Sequence, residues 1–190
     1  MKVLKTKLEG VLIVEPDVFY DTRGYFYESF SKNKYAEAGI DKEFVQDNVS
    51  RSNHGTVRGL HYQVGDNTQG KLCQIISGKV IDFAVDIRFN SPTFGGHIAV
   101  ELSDENKRQL WIPPGFAHGF SVISEQATFY YKCTGFYSKA DERTILFSDP
   151  DLNIDWKVND PIVSDKDKQG RLFRDIEKDF IYMAENAALD

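Results

Sequence analysis

The stretch Val80-Ile81-Asp82-Phe83-Ala84-Val85-Asp86-Ile87 sets Ile81, Phe83, Val85 and Ile87 at every second position. Successive side chains on a strand point to opposite faces, so these four share one face of an extended segment. Downstream, Ile98, Val100 and Leu102 repeat the alternation, and Asp104–Lys107 reads as a hairpin turn leading into Gln109–Ile112. On either side lie further short strand-like runs: Leu12–Val14, Tyr25–Phe30, Phe44–Val49, Leu72–Ile76, Phe120–Ile123, Thr128–Cys133 and Thr144–Phe147. Gly, Pro, Asn and Asp separate them, which is the spacing of an all-β chain. One short helix is expected through Ala36 and Ala38, ending at Gly39. No βαβ rhythm of long crossover helices interrupts the strands, so the expected fold is all-β, a closed or sandwiched domain and most simply a jelly-roll barrel.

The 190 residues fit one domain, 1–190, with strands dominating 1–150 and a more irregular, partly helical segment over 151–190. Within that segment, Glu185–Asp190 is expected to fray. Fourteen Phe and nine Tyr favour strands and binding surfaces. A formal net charge of −6 argues against nucleic-acid binding, which needs a basic footprint to neutralise phosphates. It leaves room for a small anion held by a few placed cations. Cys73 and Cys133 are too few for a disulfide scaffold, have no metal-ligand spacing, and read as buried small hydrophobes. Neither a signal-peptide pattern at the start nor an apolar run of spanning length is present, so a soluble cytoplasmic protein with no membrane contact is expected.

Polar residues set into aromatic strands are the functional signal. Phe26, Glu28 and Phe30 fall on one face of their run, Gln46 and Asn48 fall together opposite Val45 and Val49, and Lys71 is in phase with Cys73 and Ile75. Phe129, Tyr131 and Cys133 share a side, with Tyr130 and Lys132 on the other. Water on the polar side explains any one strand; several such strands together suit a lumen lined for a polar ligand. Three motifs add to this. Val57-Arg58-Gly59-Leu60-His61-Tyr62-Gln63 sets a guanidinium three residues from an imidazole, with Gly59 allowing a tight backbone. In Trp111-Ile112-Pro113-Pro114-Gly115-Phe116-Ala117-His118-Gly119-Phe120, prolines and glycines stiffen a loop that presents His118. Ser164-Asp165-Lys166-Asp167 is a short charged run after Pro161. His54 reads as an exposed loop residue and His97 as a strand-edge residue. His61 taken alone is equally a structural histidine, and Arg58 a surface charge.

Taken together, DTRGYFYESF, FVQDNVSRS, VRGLHYQ, QGKL, WIPPGFAHGF, YYKCTGFYS and SDKD resemble, in order and spacing, the dTDP-4-dehydrorhamnose 3,5-epimerase family over nearly the whole chain. The resemblance implies a cupin-like jelly roll with a few short flanking helices, a homodimer, and no metal or organic cofactor. It also implies conversion of dTDP-4-dehydro-6-deoxy-D-glucose into dTDP-4-dehydro-L-rhamnose, on the route to dTDP-L-rhamnose and surface polysaccharide. Carried over by motif, His61 is the catalytic base, Asp167 its carboxylate partner and Tyr131 the general acid. Arg23, Glu28, Gln46, Asn48, Arg58, Lys71, His118, Glu142 and Lys166 match positions that bind substrate or shape the pocket, and Phe26 and Tyr137 lie in segments resembling its sugar- and base-binding surfaces. Cys73 and Gln74 depart from the Val and Arg common after QGKL, and the loop containing VGDNT is unusually polar.

These residue types suit the chemistry. A 4-keto group acidifies the protons on C3 and C5, and inversion removes a proton from one face and returns one to the other. An imidazole titrates near neutrality and serves as the base, a partnered carboxylate fixes its tautomer, and a tyrosine hydroxyl keeps its proton for the opposite face. Lys71 suits the developing enolate oxygen, and Arg23 and Arg58 suit a diphosphate. Three rivals remain open. One is a metal-dependent cupin, although Gln63 stands where the second His of an H-x-H pair belongs. The second is an epimerase inverting only C3 or only C5, and the third a sugar-binding protein or keto-sugar isomerase on the same fold.

Overall fold

The computed structural model describes residues 1–183, so the expected fraying of Glu185–Asp190 lies outside the described residues. In chain order the first strands are β1 (Lys2–Lys5), β2 (Leu12–Glu15), β3 (Val18–Asp21) and β4 (Gly24–Tyr27). Helix α1 (Lys32–Glu37) precedes β5 (Gln46–Asn53), β6 (Thr56–Gln63), β7 (Lys71–Ser77) and β8 (Lys79–Asp86). The second half holds β9 (His97–Ser103), β10 (Gln109–Ile112), β11 (Phe116–Val122), β12 (Gln126–Cys133), β13 (Glu142–Thr144) and β14 (Ile162–Val163), then the single turn α2 (Asp165–Lys168). One sheet runs β1-β2-β10-β7-β12-β5 and the other β13-β6-β11-β8-β9, with β14 added parallel to β6 and every other pairing antiparallel. Two such sheets with a few short helices resemble the expected jelly-roll, cupin-like arrangement.

Three apolar layers hold the sheets. Between them pack Cys73, Ile75, Ala84, Leu110, Phe120 and Phe129, with Phe120 and Phe129 stacked at 4.2 Å. Outside the second sheet lie Phe83, Val85 and Ile87, with half-buried Ile81, under Ile145, Trp156 and Ile176. The apolar face that reveals β8 in the sequence therefore meets the C-terminal segment, while Val80 and Ala84 face the other sheet. Outside the first sheet, Val14, Leu72 and Trp111 are covered by Tyr35 of α1 and by Ile40. Gly39, at φ 89°, takes the left-handed turn after α1 as expected, and the Ile40 amide bonds back to the Tyr35 carbonyl.

Several strand limits differ from the expectations. The run Tyr25–Phe30 is strand only to Tyr27, because β3 and β4 form a separate two-stranded hairpin and Glu28–Phe30 turn away from it. Phe44 precedes β5, which starts at Gln46, and the ring packs edge-on against Trp111 outside the sheet. Thr144–Phe147 ends as strand at Thr144, with Ile145 making one bridge to Arg171. His118 stands inside β11, not on a loop: pairing with β6 and β8 on both sides extends the strand back to Phe116. His54 is an exposed turn residue and His97 opens the edge strand β9, both as expected. Cys73 and Cys133 are free and buried.

Candidate active site

The VRGLHYQ motif lies within β6, and Gly59 has φ 128°. A Cβ there would come within 2.5 Å of the Gly119 Cα, so the glycine lets β6 and β11 close together. His61 and His118 are register partners across that contact. Each imidazole meets a carboxylate at 2.6 Å through Nε2, His61 with Asp167 and His118 with Asp82.

Asp167 reaches His61 from far along the chain because α2 packs against β6. The Ser164 hydroxyl accepts the Asp167 amide and caps the turn, and the Gly59 amide donates to the second Asp167 oxygen at 3.3 Å. Burial is the largest influence on Asp167 and raises its pKa. The His61 contact, the Gly59 amide and Lys166 together outweigh it and hold the carboxyl below its ordinary value. The charged carboxylate fixes His61 through Nε2 and leaves Nδ1 as the nitrogen available to a substrate. His118 is more deeply buried, and burial lowers its pKa against the opposing pull of Asp82. It therefore favours the neutral form.

The other wall belongs to the first sheet. Tyr131 pairs in register with Asn48 on β5 and Cys73 on β7, and its ring lies 6.5 Å from that of His118. Burial, helped by Cys133 and Cys73, pushes its pKa up to about 12, so at neutral pH it holds its proton. Lys71 is buried on the same sheet. Between the walls lies a cavity of about 650 Å³, lined by both sheets, with Arg58, His61 and His118 from one and Lys71 and Tyr131 from the other. Tyr137, Glu142, Lys166 and the buried Asp167 also line it, with Lys166 paired to Glu142 at 2.8 Å.

Nine of the fourteen expected site residues thus line one cavity. Gln46 and Asn48 stand behind the lining: the Gln46 amide donates to Asn48 at 3.0 Å and its carbonyl accepts the Tyr137 amide at 2.9 Å. Arg23, Phe26 and Glu28 lie away from this cavity, Arg23 and Phe26 on or at the turn of the β3–β4 hairpin and Glu28 just beyond it, where Arg23 pairs with Asp21 and Glu28 with Lys34. Ser50 and Gln69 line it without having been singled out, and so does Gln63, which the sequence marked only as standing in place of a second metal-ligating His. Ser50 had a signal, being the next residue in phase after Gln46 and Asn48.

Among the described residues, Cys73, Asp82 and His118 are the group that could meet a metal ion, with ligand atoms within 4.8 Å of one another. The chemistry of the set argues against it. Burial raises the Cys73 thiol well above its ordinary value and keeps it protonated, and the Asp82–His118 contact is already a hydrogen bond. One Asp82 oxygen has no hydrogen-bond partner.

The family model described as dTDP-4-dehydrorhamnose 3,5-epimerase matches residues 5–175. The chain belongs to this family. Among the epimerase relatives, the dTDP-4-dehydrorhamnose 3,5-epimerase of Shigella flexneri is 56% identical over 178 residues, covering 93% of this chain and 98% of its own. That of Pseudomonas aeruginosa is 50% identical, covering 93% and 98%. A solved epimerase structure from Legionella pneumophila, in complex with dTDP-4-keto-L-rhamnose, superposes with a TM-score of 0.92 at 48% identity, covering 96% of this chain and 99% of that one. Epimerase relatives of this kind span nearly the whole chain, in keeping with the motif order in the sequence.

Proposed function

We propose that the protein is a 3,5-epimerase acting on dTDP-4-dehydro-6-deoxy-D-glucose, forming dTDP-4-dehydro-L-rhamnose by proton transfer between His61 and Tyr131. What supports this most is the opposition of two proton-transfer groups across one cavity: a carboxylate-held imidazole on one wall and a protonated phenol on the other.

In this reading His61 Nδ1 takes the proton from C3 or C5, and the C–H electron pair moves into the carbonyl to form an enolate. Lys71 stabilises the negative O4, where a fixed charge in a partly dry site acts more strongly than in water. Asp167 stabilises the imidazolium. Tyr131 gives its proton to the same carbon from the opposite face, which inverts it. The imidazolium and phenolate then exchange protons with water, and the second carbon follows the same course. The carbonyl acts as the electron sink throughout, so no step calls for a redox cofactor or a metal. Arg58 and Lys166 bind the diphosphate and Tyr137 packs on the nucleoside. The two sheets act as a cupin barrel with the cavity as lumen.

Arg23, Phe26 and Glu28 enter the reading through a homodimer. Phe19, Tyr20, Tyr25 and Phe26 form an exposed aromatic cluster on the β3–β4 hairpin, a surface of the kind that marks an interface. The hairpin of one subunit reaches the cavity of the other. Light scattering should give twice the 21.7 kDa chain mass, and a clean monomer refutes the dimer. The described residues contain no helix long and apolar enough to cross a membrane, and the reading takes the protein as soluble and cytoplasmic.

The deciding experiment is proton NMR of the sugar product formed in deuterated water without added cofactor. Deuterium at both C3 and C5, with both configurations inverted, is the expected result. Inversion at one carbon only would replace the reading with that of a mono-epimerase.

A further inference from the structure

The polar segment joining β6 to β7, Val64–Gly70, does not simply face water. Asn67 Nδ2 donates to Asp141 Oδ2 at 2.7 Å, and Gln69 Nε2 donates to the Gly135 carbonyl at 2.8 Å. Main-chain bonds join the same two stretches. The Thr134 amide donates to the Gly70 carbonyl at 3.0 Å, and the Val64 amide to the Asp141 carbonyl at 3.0 Å. A Cβ on Gly135 would lie 2.7 Å from the Thr68 carbonyl oxygen, so at this point the backbones touch and only glycine fits.

The stretch being held, residues 134–141, connects β12 to β13 and carries Tyr137. Its middle is gripped by Gln63. The Ser138 amide donates to Gln63 Oε1 at 2.8 Å, and Gln63 Nε2 donates to the Ser138 carbonyl at 3.0 Å. Gln63 is buried, so both ends of its amide need partners and the Ser138 peptide supplies them. One residue earlier the Tyr137 amide bonds to Gln46. Tyr137 keeps half its surface free and its ring lines the cavity. A loop ordered before a ligand arrives does not lose that freedom on binding, and the gain appears as affinity.

We propose that Gln63, Asn67 and Gln69 are positioning residues that clamp loop 134–141 and fix the Tyr137 ring as a preformed wall for the planar base of a nucleotide ligand. The ligand class rests on the nucleotide-sugar reading above; the clamp itself does not. Asn67 and Asp141 do not line the cavity that holds the His61–Asp167 pair, so loss of their contact acts on binding through the loop and leaves proton transfer intact.

Asn67→Asp sets a second carboxylate against Asp141 and opens the clamp. Joining it to Asp141→Asn restores one amide–carboxylate bond with donor and acceptor exchanged. The readouts are amide hydrogen exchange at Tyr137 and Ser138, the dissociation constant for dTDP, and KM against kcat. Asn67→Asp should speed exchange at both amides and weaken dTDP and KM by about tenfold, with kcat within about twofold of wild type. The double variant should recover most of the loss. Unchanged exchange in Asn67→Asp overturns the clamp. Faster exchange with dTDP bound as in the wild type, or a double variant as weak as the single one, overturns the positioning role. A wild-type protein that ignores dTDP defeats the nucleotide reading instead, and the exchange measurements still decide the clamp.

Discussion

Two histidine–carboxylate pairs stand side by side on β6 and β11, with the same 2.6 Å contact, and their surroundings suit them to different work. The His61 side chain is 25% exposed, and both oxygens of its Asp167 are bonded, one to the ring and one to the Gly59 amide. The His118 side chain is 8% exposed against a wholly buried Asp82 that leaves one oxygen unpartnered. A base must be reachable by its substrate, which a partly exposed imidazole held by a fully bonded carboxylate can be. In the closed pair burial opposes the charging of His118, so its imidazole favours the neutral form. Contact distance therefore says little about which histidine is the base; access and satisfaction of the carboxylate say more.

The largest effect should come from removing the open pair. His61→Ala is expected to stay folded and bind dTDP while losing deuterium exchange at both carbons, a fall in turnover of about 10⁴-fold or more. If exchange persists at the wild-type rate, the base lies elsewhere and the contrast between the pairs fails. Next, Tyr131→Phe should slow inversion by about 10²–10⁴-fold and change net stability by no more than about 1.5 kcal/mol. His61 still removes and returns protons on its own face, so deuterium enters without inversion. Exchange and configurational change measured in one sample test this, and inversion as fast as in the wild type removes Tyr131 from the role.

The smallest effect concerns the closed pair and pH. Burial holds the His118 pKa below its ordinary value of 6.5, so just below that pH the unfolded chain binds more protons than the folded one. The stability contribution is complete above 6.5 and is lost as pH falls through the lower folded value. Asp167 behaves in the same direction, at lower pH, below the ordinary carboxyl value of 3.8. Urea midpoints measured between about pH 7.5 and 5 should fall on acidification, and His118→Gln should flatten that slope. An unchanged slope in the variant contradicts the assignment of a buried neutral His118.

Much of the fold was legible because a half-buried strand writes its period of two into the sequence. The limits of that code show at particular residues. β8 is buried on both faces, one against the other sheet and one against the C-terminal segment, and the face towards the other sheet carries Asp82 and Asp86, so its polar alternation did not mark a solvent side. On β5 the relation is reversed: Val49 is 67% exposed while Gln46, Asn48 and Ser50 are partly buried on the cavity side. His118 read as a loop residue because its flanking glycines and prolines signal turns, whereas pairing on both sides makes it strand.

The sequence by itself determined the strand-rich class, the helix stop at Gly39, and the residue types that proton transfer and anion binding require. These are consequences of local geometry and intrinsic chemistry, which each short stretch carries with it. Only the tertiary structure decided which histidine is open, that Asp167 closes on His61 rather than on water, that Arg23, Phe26 and Glu28 stand outside this subunit's cavity, and that a polar loop grips the strand connection bearing Tyr137. Those outcomes depend on burial and on contacts between residues many positions apart, and no local period records them.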